Sequence, residues 1–89
     1  MAREVLLDVH ELEPPEPLVL TLEAAEKLQA GEYLHMLHRR DPCLLYAKLD
    51  QLGCRYRNRN GVLVELYIWR DGDKEAENAV SNICPDTEL

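Results

Sequence analysis

Residues 54–69 read Cys54-Arg55-Tyr56-Arg57-Asn58-Arg59-Asn60-Gly61-Val62-Leu63-Val64-Glu65-Leu66-Tyr67-Ile68-Trp69, two alternating runs around an Asn-Gly pair. Alternation of this kind marks strands, and the turn residues between them mark a hairpin. A two-residue loop would pair Arg59 with Val62 and set the arginines among the aliphatic residues. A three-residue loop, with Gly61 left-handed in a bulge, pairs Asn58 with Val62 instead. Cys54 and Tyr56 then share a face with Val62, Val64, Leu66 and Ile68, while Arg55, Arg57 and Arg59 join Glu65, Tyr67 and Trp69. A one-residue slip turns every side chain to the wrong face, so the second register is expected, with strands at 54–58 and 62–69.

Upstream, Asp41 as N-cap, Pro42 at the first helical position, a Leu45, Leu49, Leu52 stripe and a terminal Gly53 define a helix. Residues 32–38 alternate as a strand, with Leu34, Met36 and His38 against Tyr33, His35 and Leu37. Before them, Leu18, Leu22, Ala25 and Leu28 recur as one helical face, entered through Pro15, Glu16 and Pro17 and closed at Ala30-Gly31. The first alternation runs from Glu4 to Val9, with Val5, Leu7 and Val9 opposite Glu4, Leu6 and Asp8. Downstream, residues 71–89 read as an acidic tail, in which Asp73 would cap a short helix carrying Ala76, Ala79, Val80 and Ile83; a frayed end is the alternative. The domain proper is expected at 1–70.

The order is therefore βαβαββ. It predicts an α/β two-layer sandwich, a mixed four-stranded sheet with both helices on one face and the other face open.

The chain's 89 residues suffice for one domain and leave no room for a cleft between lobes. Its net charge is −7, which opposes binding to DNA and to anionic membranes. No stretch is long and apolar enough to span a bilayer, and the acidic start is unlike a targeting peptide. Three cysteines with no paired spacing suggest neither a disulfide framework nor a zinc knuckle. A cytoplasmic location is the expectation. The charge is uneven: residues 31–60 hold six bases against three acids, while the segments on either side are acidic.

Asp8-Val9-His10-Glu11-Leu12-Glu13-Pro14-Pro15-Glu16-Pro17 resembles the opening motif of the TusA/SirA-like sulfur-carrier family, Asp-x-x-Gly-Leu-x-Cys-Pro-x-Pro, at Asp8, Leu12, Pro15 and Pro17. Glu11 replaces its glycine and Pro14 its sulfur-carrying cysteine. Leu37-His38-Arg39-Arg40-Asp41-Pro42 is similar to a segment of an uncharacterised, domain-of-unknown-function branch of that family. The resemblance implies a TusA-like fold whose third strand runs parallel to the first two. Members of that branch are similar to domains found alongside hemerythrin-like and nitrogen-oxide-handling proteins, which implies a redox setting.

Proline at position 14 supplies neither a nucleophile nor an N–H, so sulfur transfer of the family type has no thiol there. Cys43, at a helix start beside Arg39 and Arg40, is the alternative carrier thiol, or else a small packing residue. His35 and His38, three apart on a strand, point to opposite faces, so no metal and no cofactor is expected.

In a βαβαβ order both helices begin at the carboxyl ends of parallel strands, so their N-termini share one edge. A parallel third strand would add Arg59 to His38, Arg39 and Arg40 there, with Glu13 and Asp41 as local partners. That edge is the expected binding site for a small anion or an acidic protein segment. The open face, with Tyr33, Arg55, Arg57, Tyr67 and Trp69, is the candidate interface for a homodimer or another protein, and less readily for RNA. The function expected is that of a non-catalytic binding or adaptor domain.

Overall fold

A computed structural model of the chain describes residues 2–13, 15–39 and 43–83. Seven elements follow one another: β1 (Arg3–Asp8), α1 (Glu16–Glu26), β2 (Glu32–His38), α2 (Cys43–Gln51), β3 (Cys54–Asn60), β4 (Val64–Arg70) and α3 (Lys74–Ile83). The four strands form one sheet in the order β1-β2-β4-β3. β1 and β2 are parallel, and β4 runs antiparallel to both β2 and β3. β3 thus points the same way as β1 and β2, and the carboxyl ends of all three lie on one edge.

The two helices expected from the Leu stripes pack on one face. Ala25 and Leu28 from the α1 segment, and Leu45 and Leu49 from α2, close over Leu34, Met36, Leu66 and Ile68. Gly53, at φ 76°, ends α2 in the left-handed conformation that a glycine adopts without steric cost. α1 stops sooner than its pattern suggested. It ends at Glu26, and residues 27–31 form the turn into β2.

The other face is not open, and the two-layer expectation is corrected to three layers. α3 lies across it, with Ala76 and Val80 packed on Tyr33, Tyr67 and Trp69. Trp69, expected to be partly exposed, is 2% exposed. Asp73 anchors this helix twice. Its Oδ1 accepts the Ala76 N–H at 3.2 Å, capping α3, and its Oδ2 accepts the Gly31 N–H at 2.7 Å, tying the cap to the start of β2.

The hairpin keeps the expected faces but not the expected register. Asn58 lies opposite Leu66, not Val62, and the strands pair from Cys54–Arg70 up to Asn60–Val64. The loop is Gly61-Val62-Leu63, and Gly61 is not among the described glycines with positive φ. Val62, expected on the aliphatic face, falls in the loop and is fully exposed, but the slide is an even number of residues, so each side chain that stays in a strand keeps its predicted face. It also sets Arg59 opposite Glu65, bonded at 3.1 Å, and Tyr56 opposite Ile68. In the expected register Glu65 would have faced Arg55 instead, but Tyr67, Ile68 and Trp69 would have run past Cys54, where β3 begins, and lost their cross-strand partners.

No helix among the described residues is long and apolar enough to cross a membrane.

Candidate functional site

At the edge where β1 and β2 end, β2 delivers His38 and Arg39 beside the loop that leads into α1. The Arg39 Nη2 stands 3.5 Å from the Leu12 carbonyl oxygen and 3.5 Å from the Glu13 carboxylate. The Arg39 side chain is 48% exposed. His38 turns Nδ1 back to accept the Arg39 N–H at 2.7 Å, which fixes the backbone at the end of β2. In the turn after β1, the Asp8 carboxylate accepts both the backbone N–H and the ring Nδ1 of His10. Those bonds, with the imidazole's charge, hold the Asp8 carboxyl below its ordinary range.

The backbone contributes less to this edge than the sequence promised. Pro15 and Pro17 have no N–H, and the Glu16 N–H donates to the Glu13 carbonyl at 3.0 Å. The first turn of α1 therefore has fewer N–H groups to offer an anion than a helix start without prolines. Arg40, Asp41 and the side chain of Cys43, all expected here, lie outside the described residues, as do Pro14 and Cys84.

Arg59 does not join this group. Its backbone reaches the edge, but its side chain turns to the α3 face, as its place opposite Glu65 requires. There it donates to the Glu65 carboxylate at 3.1 Å, the Tyr67 hydroxyl at 3.0 Å and the Ile83 carbonyl at 3.1 Å. The expected cluster of His38, Arg39 and Arg59 is thus divided by the sheet itself.

The face beneath α3 holds a polar chain that crosses all four strands. His35 on β2 stacks on Tyr67 with ring centroids 4.4 Å apart. Its Nδ1 faces Glu4 on β1 at 3.2 Å and its Nε2 faces Glu65 on β4 at 2.9 Å. Tyr33 donates its hydroxyl to Glu4 at 3.1 Å. Burial raises the Glu65 carboxyl, but the bonds from Arg59, His35 and Tyr67 outweigh it and keep the group below the ordinary carboxylate range. Burial raises the Tyr33 phenol, and the Glu4 carboxylate adds to that.

Arg57 belongs to this face too, over the Trp69 ring at 5.8 Å and 3.3 Å from the Ser81 hydroxyl. Arg55 is 3.7 Å from Asp71. The five residues expected at an open interface therefore split. Tyr33, Tyr67 and Trp69 are buried, and only the arginines of β3 meet solvent.

Sequence reasoning missed the part played by Glu4. Alternation placed it on the right face, but only the β1–β2 register brings it opposite Tyr33 and next to His35.

Cys54 is buried, and burial raises its thiol, so it is no thiolate nucleophile. Among the described residues no group of three His, Cys, Asp or Glu side chains could hold a metal ion.

Fold and site define a small three-layer α/β domain with Arg39 at the edge where β1 and β2 end and an aromatic cluster beneath α3. The chain belongs to a family of uncharacterized conserved proteins, DUF2249, whose sequence profile matches residues 6–70. That match covers the sheet from Leu6 onward, with α1 and α2, and stops just short of α3. No curated protein and no solved structure matches the chain.

Proposed function

We propose that this chain is a small recognition domain, and that the edge where β1 and β2 end takes a carboxylate or phosphate group of a protein partner or a small anion. One observation carries the reading: a half-exposed Arg39 guanidinium that, among the described residues, meets just two long contacts at 3.5 Å. An exposed pair of this length contributes only about 0–1 kcal/mol, so an incoming carboxylate or phosphate displaces Glu13 at little cost. A guanidinium also presents a planar fork suited to paired contacts with such groups. His38 supports it by fixing the backbone from which Arg39 projects. The sequence places Arg40 next to Arg39.

Kinship with the TusA/SirA-like proteins is part of the same reading, supported by Asp8, Leu12, Pro15 and Pro17 and by three strands that share one direction. The fold would be used for binding, the carrier thiol position being proline.

The test is titration with inorganic phosphate and with a triglutamate peptide, followed by amide NMR. Shifts should converge on residues 10–13 and 38–39. Arg39→Gln with Arg40→Gln should abolish them and lower stability by no more than about 1 kcal/mol. Binding that survives the double change, or shifts centred elsewhere, removes the reading.

A further inference from the structure

Among the described residues, β1 is an edge strand that pairs only with β2. The Arg3 N–H donates to the Gly31 carbonyl at 2.8 Å and the Val9 N–H to the Leu37 carbonyl at 3.1 Å. The N–H and C=O of one strand residue point to the same side, and the side alternates along the chain. Residues 3, 5, 7 and 9 therefore direct their backbone groups to β2, and Glu4, Leu6 and Asp8 direct theirs outward. The same three residues carry their side chains on the α3 face, on the half that α3 does not cover. Leu6 is 58% exposed there, between two carboxylates. On the opposite face Val5 and Leu7 are only partly buried against the core.

Free backbone donors and acceptors along an edge are a template for another strand. Which strand fits is set by the side chains. Residues directly opposite one another on neighbouring strands interact, and like charges there repel.

A second copy of this chain fits poorly. In an antiparallel pair about a two-fold axis, outward residues face outward residues. If Leu6 meets Leu6 of the copy, Glu4 meets Asp8 on both sides. If the pair slides by one step of the alternation, Glu4 meets Leu6. Each copy also carries a net charge of −7, so approach is opposed at long range.

We propose that the outer edge of β1 docks an extended cationic segment of a partner protein, which adds as a fifth strand. A Lys or Arg would lie opposite each of Glu4 and Asp8, an apolar residue opposite Leu6, and apolar residues between them against Val5 and Leu7. The recognition pattern is thus cation, three apolar residues, cation. Glu4 receives the Tyr33 hydroxyl and faces the His35 ring, and Asp8 receives His10. Those bonds orient both carboxylates, and an ionised carboxylate accepts about four hydrogen bonds in all. The acids act against self-pairing and for a basic partner at the same time.

The experiment uses the full chain and two capped peptides, one containing Lys-Val-Leu-Val-Lys and one containing Glu-Val-Leu-Val-Glu, read by amide hydrogen exchange. The lysine peptide should slow exchange at Leu6 and Asp8 by about tenfold or more, because these N–H groups gain acceptors, while Val5 and Leu7, already bonded to β2, stay unchanged. The glutamate peptide should protect nothing, and added salt should weaken the effect. Leu6→Lys should cut the lysine peptide's affinity by about tenfold, with Trp69 emission unchanged as the sign of an intact fold. Three results would each overturn the proposal: no protection at saturating lysine peptide, protection centred away from β1, or protection of the same amides by raised protein concentration alone, which would assign the edge to a second copy.

Discussion

Two side chains of similar size show opposite treatments of a side-chain oxygen. Asp73 spends both carboxylate oxygens on backbone N–H groups, one in its own helix and one more than forty residues away in sequence. Thr21 sits fully buried on α1, and its hydroxyl has no hydrogen-bond partner among the described residues. A hydroxyl removed from water without a partner costs roughly 1–3 kcal/mol. Valine has nearly the same shape without that debt, and its helix propensity is similar. Thr21→Val should therefore stabilise the domain by about 1 kcal/mol, seen as a higher urea midpoint with an unchanged slope. A lower midpoint would show that the hydroxyl has found a partner, such as water.

Among the elements, α3 decides the most and is the hardest to read. Its apolar residues number few, and Gly72 and the surrounding acids fit a solvated tail as well as a helix. What makes it a layer is the face below it, where Tyr33, Tyr67 and Trp69 would otherwise stay wet. Their burial is separate from the core beneath α1 and α2, so α3 should detach without melting the rest. Val80 is the residue to change, since it is fully buried against those aromatics. An aspartate there would have to be buried unpaired, a cost that exceeds what one short helix returns. Val80→Asp should red-shift the Trp69 emission and open it to acrylamide quenching, with most of the helical signal retained. A Trp69 that stays shielded in the variant would mean that α3 holds by other contacts. The hairpin teaches a related lesson: its faces follow from alternation alone, whereas the loop position depends on which cross-strand pairs form.

For the whole molecule, the polar chain across the sheet ties stability to pH. The Glu65 carboxyl lies below its ordinary value in the fold despite burial, owing to Arg59, His35 and Tyr67. A depressed carboxyl stabilises the fold above its unfolded pKa, and that contribution fades as pH falls through the folded value. Unfolding midpoints of the wild type and of Glu65→Gln should differ at neutral pH and converge below about pH 4. A constant difference down to acid pH would show that shape, not charge, sets the role of Glu65. Tyr33 works in the other direction. Burial and then Glu4 raise its phenol, so its neutral form stabilises the fold below the ordinary tyrosine range, and that support is lost as pH rises through the folded value.

Local pattern was enough for the four strands, the two Leu-striped helices, the parting of His35 from His38 and the faces of the residues that pair in the hairpin. All of these follow from side-chain periodicity and from turn and cap residues, which act within a few positions along the chain. Tertiary structure alone settled where Arg59 sends its side chain, how Glu4 comes to face His35, whether residues 74–83 form a layer, and which strands lie at the edges of the sheet. Each of those depends on the offset between strands distant in sequence. That offset is set by the sum of many weak cross-strand contacts, and no single segment carries it.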